Sequence, residues 1–225
     1  MAPVSARLLA PYRRLLAVPG AFRFSVAGLV GRLPISMVTL GIVVLVSDRT
    51  GSYSVAGAVS ASYVAANALV AVPLARLVDR LGQGRVLGPA ASFSALALAL
   101  LMTTVESGWP TPWPHLCAAL AGATMPNVGA AVRARWSHAV RDRGRLDTAF
   151  ALEAVNDELV FILGPTLTTL LATLVHPLAG LLTAGTAALV GVWWLVSQRG
   201  TEPPARAREH LGGEIGRASC RERVC

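Results

Sequence analysis

Lysine is missing from this chain: all 20 of its basic residues are arginine. Charge of either sign is scarce, at 14% of residues, where an ordinary soluble domain carries about 25%. Cysteine occurs three times, too rarely for a disulfide scaffold or a thiolate metal cluster. Cys117 lies alone inside an apolar run, where a lone thiol packs as a small apolar side chain. Cys220 and Cys225 stand near the end of the chain. No disulfide, metal site or cofactor is expected. No basic stretch is interleaved with aromatic residues on a polar segment, which excludes a nucleic-acid surface. The missing lysine beside abundant Ala, Gly, Val and Arg points to a GC-rich coding sequence and says nothing about mechanism.

What is present is apolar. Hydrophobic residues make up 54% of the chain and the mean hydropathy is +0.57. They gather into six runs: Phe24 to Val46, Ser54 to Leu74, Val86 to Val105, His115 to Val132, Ala149 to Val175 and Leu178 to Val196. Each reaches the roughly 17 to 25 residues that about 30 Å of hydrocarbon requires of a helix. The fifth is slightly longer, which tilt absorbs. A bilayer leaves the backbone no partner but itself, and runs without strict alternation exclude barrel strands. The expected fold class is an all-α membrane protein with six transmembrane helices. The first run is too long for a signal peptide's apolar region and lacks a small-x-small cleavage site, so it reads as a retained helix.

The arginines alternate with these runs. One set of gaps holds Arg7, Arg13, Arg14 and Arg23, then Arg76, Arg80 and Arg85, then Arg133, Arg135, Arg141, Arg143 and Arg145, then Arg199, Arg206 and Arg208. The other set holds only Arg49. Positive charge stays on the cytoplasmic side during insertion, so both termini are expected in the cytoplasm of a multi-pass plasma-membrane protein. This divides the chain into a cytoplasmic segment 1–23, a transmembrane domain 24–198 and a cytoplasmic linker 199–214. Residues 215–225 form a tail that begins Ile215-Gly216-Arg217-Ala218-Ser219-Cys220-Arg221-Glu222-Arg223-Val224. It resembles the translation of a sequencing adapter, which makes it an expected artefact and leaves a longer natural protein in prospect.

Ionisable groups inside the spans are costly and need partners or a function. Arg32 lies about eight residues, or roughly 12 Å, into the first helix. Asp157 and Glu158 lie at a comparable depth in the fifth, so the expected pairing is Arg32 with Asp157 or Glu158, one carboxylate changing protonation during a transport cycle. Glu153 shares a helix face with Asp157. As a static alternative, the ion pair is structural and Glu153 is solvated at the inner boundary. Asn67 and Asn127 are candidates for a substrate cavity, with helix-to-helix bonding the competing reading. Pro34 and Pro126 are expected to bend their helices. Trp109 and Trp113, with Trp193 and Trp194, fit the two interfacial belts.

Between the second and third runs the chain reads Ala75-Arg76-Leu77-Val78-Asp79-Arg80-Leu81-Gly82-Gln83-Gly84-Arg85. This resembles the signature G-x-L-x-D-R-x-G-R-R of the major facilitator superfamily, at the loop where that family carries it. Leu77, Asp79, Arg80 and Gly82 match, Arg85 lies one residue past the usual basic pair, Ala75 replaces the first glycine, and Gln83-Gly84 replaces the basic pair. Glycine eases the tight reversal, and Asp79 can accept the free amides of a neighbouring helix N-terminus. In the fifth run, Gly164-Pro165 is similar to part of a longer glycine and proline motif of antiporter members, with Thr168 and Thr169 standing where further glycines would be; the step is expected to kink the helix and let a neighbour approach closely.

The resemblance spans Phe24 to about Arg208. It implies two inverted three-helix repeats here, a missing C-terminal half of six more helices, and a site between the halves. The implied function is secondary active transport of a small solute, coupled to protons, in a lipid bilayer. A natural six-helix protein acting as a dimer is an alternative. A six-helix intramembrane enzyme, such as a serine protease, is a further alternative that the sequence disfavours, because His115 and His176 sit at outer boundaries and His138 and His210 in cytoplasmic segments, placing no Ser-His pair at membrane depth.

Overall fold

The computed structural model describes residues 11–205. The adapter-like tail 215–225, the distal part of the linker and the first ten residues lie outside them. Among the described residues every regular element is helical, as the long apolar runs require. The first run forms two helices, α1 (Ala21–Arg32) and α2 (Pro34–Thr50). Pro34 has no amide to offer, and Leu33 between the helices accepts from the amides of both Ser36 and Met37 at 3.3 Å, so the pass is jointed there. The second pass is α3 (Tyr53–Leu81) and the third α4 (Gln83–Glu106). They are separated by Gly82 alone, at φ 90°, a conformation that other residues rarely adopt.

The fourth run departs from expectation. Instead of one helix from His115 to Val132 it forms α5 (Pro112–Thr124) and α6 (Val128–Ala139). Met125, driven extended by the proline that follows it, separates them with Pro126 and Asn127. Five segments are therefore long and apolar enough to cross a membrane, α1 and α2 together counting as one. The jointed fourth pass completes the six. The fifth pass is α7 (Arg143–Leu174), capped by Asp142 at the amide of Arg145 (3.0 Å), and the sixth is α8 (Ala179–Ser197). The helix α7 continues through Pro165 as a single element. The joints fall in the first and fourth passes, the positions that correspond when six passes divide into two three-helix repeats.

α3 packs on α2 and α5, α8 on α1 and α4, and α7 on α2. In lipid such packing depends on close approach rather than on hydrophobic exclusion, so small residues mark the crossings. A Cβ on Gly191 of α8 would stand 2.2 Å from the backbone nitrogen of Gly31, and one on Gly122 of α5 would stand 2.1 Å from the carbonyl oxygen of Tyr63. One apolar cluster gathers Met37, Ile42, Leu45, Leu98, Leu101 and Leu181. A second, toward the arginine-rich end, gathers Phe24, Leu87, Trp136, Val192 and Leu195.

Candidate functional site

A cavity of about 520 Å³ is lined by residues of the first five passes. Arg32 and Thr39 come from the first, Tyr63, Asn67 and Asp79 from the second, Gln83 from the third, Asn127 and Arg133 from the fourth, and Asp157 and Phe161 from the fifth. Its wall is aliphatic and aromatic for most of its extent, with these polar groups converging on it, the usual chemistry of a small-molecule site.

Arg32 is buried, 4% exposed, and the first pass ends its first helix on it at the Pro34 joint. Its Nη1 donates to Oδ1 of Asp157 at 3.0 Å, and its Nη2 donates to Oε2 of Glu153. The other oxygen of Glu153 accepts from the indole Nε1 of Trp136 at 2.9 Å. Trp136 is fully buried and meets Phe24 edge to face, with ring centroids 4.7 Å apart. The second oxygen of Asp157 accepts from Arg133, which is itself largely exposed. The array therefore runs Trp136, Glu153, Arg32, Asp157, Arg133.

Glu153 is thus not solvated at an inner boundary: at 1% exposure it is the deepest carboxylate of the group. Glu158 is exposed and makes no ion pair among the described residues. The reason is helical geometry. Glu153 and Asp157 are one turn apart on one face, whereas one residue beyond Asp157 the chain has rotated by about 100°. Two members of this array, Arg133 and Trp136, escape a sequence reading that ends the fourth span at Val132. No proline occurs between Val128 and Ala139, and that was the available sign that the helix continues.

Asn67 donates to the carbonyl of Gly122 at 3.1 Å, where α3 and α5 cross, and lines the cavity as well. Asn127 caps α6, accepting from the amide of Ala130 at 3.0 Å. Asn67 thus bonds helix to helix and Asn127 holds a helix end, while both still border the cavity. Gly164 is a contact point, since a Cβ there would stand 1.9 Å from Oγ of Ser36. Ser36 in turn donates to the carbonyl of Val160 at 2.8 Å, in the turn preceding Pro165. Thr168 is buried against Gly180, whose added Cβ would lie 2.9 Å from its methyl. The close approach expected of a further glycine on the fifth pass is thus supplied from the sixth.

In the loop signature, Gly82 makes the turn, while Asp79, Arg80 and Arg85 are exposed. Asp79 borders the cavity and takes no helix amide among the described residues. The Gly84 amide, at the start of α4, donates instead to Glu202 at 2.7 Å.

Residues 24–223 match the family model described as Major Facilitator Superfamily. No curated protein and no solved structure matches the chain.

Proposed function

The chain belongs to the Major Facilitator Superfamily, and from that premise we propose that it forms one half of a proton-coupled secondary transporter of a small solute. The observation that carries this reading is the Asp157 carboxylate, shared by Arg32 and Arg133 on the wall of the cavity. Its side chain is 32% exposed, so protons and solute can reach it. Glu153 is sealed behind it and held by both Trp136 and Arg32.

The two carboxylates consequently have different roles. Glu153 is a permanent counter-ion that keeps Arg32 in place. Asp157 is the exchanging group: on protonation it loses its charge-assisted bonds to two guanidinium groups, which then turn to an anionic or hydrogen-bonding group of the solute. Release of the proton restores the array. The Nε of Arg32, buried and unpaired among the described residues, leaves a further donor of this group uncommitted. Asp79, Arg80, Gly82 and Arg85 form the turn that sets the second and third passes at the arginine-rich end, which this reading places in the cytoplasm.

The missing half is supported by the exposed apolar faces of α3 and α7, among them Leu69, Val72, Phe161 and Ile162. These two passes are the least buried of the long helices and flank the cavity. Sequencing the locus beyond the adapter-like codons tests this point: an in-frame second set of six helices supports the half, and an immediate stop codon supports a dimer of six-helix chains. For coupling, the completed protein in liposomes carrying an internal pH dye is presented with a panel of small solutes. Asp157→Asn is expected to abolish solute-driven proton movement while leaving solute counterflow. Undiminished proton movement in Asp157→Asn overturns the assignment.

A further inference from the structure

The segment after the sixth pass does not leave the bundle directly. It makes a single turn of 3-10 helix, Arg199–Thr201, and is gripped from two sides. Arg135 of α6, fully buried, donates from Nη1 to the carbonyl of Gln198 at 3.0 Å and to Oγ1 of Thr201 at 2.8 Å. Its Nε donates to Oε1 of Gln83 at 2.8 Å. Gln83, 4% exposed, uses its other end to donate to the carbonyl of Ala131 at 3.0 Å. On the second side, Glu202 reaches the first turn of α4 and accepts from the Gly84 amide, where a carboxylate is favoured by the free amides and the helix dipole.

Gln83 and Gly84 are the two residues that stand where the superfamily signature has its basic pair. Each suits this contact and would suit it poorly if replaced by arginine. A guanidinium at position 83 would face that of Arg135 in a buried site, setting a like charge where Gln83 supplies a neutral acceptor. At position 84 even a Cβ would lie 3.1 Å from Oε2 of Glu202, so any side chain crowds the carboxylate. Gln83 also lines the cavity, beside Asp79 and Ala134. One residue therefore joins the segment 198–202 to the cavity mouth.

We propose that Gln83, Gly84 and Arg135 form a receptor for the segment 198–202, and that this segment is a strap whose docking holds the arginine-rich mouth of the cavity at a set width. While docked, the strap ties the start of α4 to the end of α6. Its release leaves Arg135 with Gln83 alone and uncaps α4, so that at this end the third and fourth passes are held to each other by the bonds of Gln83, and the mouth between them is free to widen. The strap's purpose rests on the cavity being the transport path. Its test reads geometry alone and stands or falls separately from coupling through Asp157.

The test uses the full chain in lipid nanodiscs, with Cys117→Ala, Cys220→Ser and Cys225→Ser removing the native thiols. Spin-label pairs at Ala75→Cys with Ala134→Cys report the mouth, and pairs at Ser137→Cys with Ala205→Cys report the strap. Glu202→Ala is expected to broaden and lengthen both distance distributions, and Gly84→Ala, which crowds the carboxylate from the other side, to shift both the same way. Neither change touches the core of the bundle, so monodisperse protein is expected from both. A strap distance unchanged in both variants overturns the docking. A strap that moves while the mouth distance stays put overturns its control of the cavity.

Discussion

At the scale of single residues, the array around Arg32 shows how a charge is held in an apolar bundle. A buried guanidinium with one carboxylate partner would be a costly arrangement, and removing one member of such a pair typically costs about 3–5 kcal/mol. Here the charge is spread over two carboxylates and two arginines, with an indole completing the bonds of the deepest oxygen. Trp136→Phe isolates that last bond, because the ring and its edge-to-face contact with Phe24 are kept. Leaving a Glu153 oxygen unpaired is expected to destabilise by about 1–3 kcal/mol. A thermal melt in nanodiscs checks it: an unchanged midpoint assigns Trp136 to packing only. Arg49, the single arginine of the opposite end, pairs with Glu106, its Nε lying 3.0 Å from Oε1. Both groups are partly exposed, and such a pair contributes about 0–1 kcal/mol.

At the scale of elements, the joints matter more than the helices. The two jointed passes both contribute to the cavity at their breaks, Arg32 preceding one and Asn127 belonging to the other. Asn127 begins α6 by capping Ala130, and α6 carries Arg133, Arg135 and Trp136, the contacts of Asp157, the strap and Glu153 in turn. Asn127→Ala is expected to cost about 0.5–2 kcal/mol of local stability. Hydrogen exchange reads this directly, as faster exchange over residues 128–131, with Asn127→Ser restoring the wild-type rate. Equal rates in Asn127→Ala and wild type would show that tertiary packing, rather than the cap, starts this helix. The partial glycine motif of the fifth pass also changes meaning at this scale. Gly164 serves a crossing with Ser36, and Pro165 is accommodated without a break.

At the scale of the whole molecule, the bundle has one arginine-rich end and one nearly arginine-free end, and the cavity reaches the first through Asp79 and Arg133. The charge asymmetry predicts the orientation in the cell. Single cysteines at two exposed positions, Ser107→Cys and Ser137→Cys, in the thiol-free background, test it with a membrane-impermeant maleimide. Intact cells are expected to label Ser107→Cys and to spare Ser137→Cys until they are opened. The reverse pattern would invert the topology and place the strap outside.

The six apolar runs, their helical form and the family they belong to were legible in the residues themselves. Each depends on a property that neighbouring residues carry together: hydropathy over a bilayer's width, a short loop signature, an alternation of arginine. Other features were decided only when the helices packed. Arg32 chose Glu153 and Asp157 over Glu158 because the rotation of α7 against α1 and α2 turns one face inward. That rotation follows from contacts such as Gly164 with Ser36, between residues far apart in the chain. The amide expected for Asp79 went to Glu202 because the sixth pass, drawn in by Gly31 and Gly191, brings the following segment over Gly84. Partners separated by more than a hundred residues are selected by the shapes of helix surfaces, which no local stretch of sequence encodes.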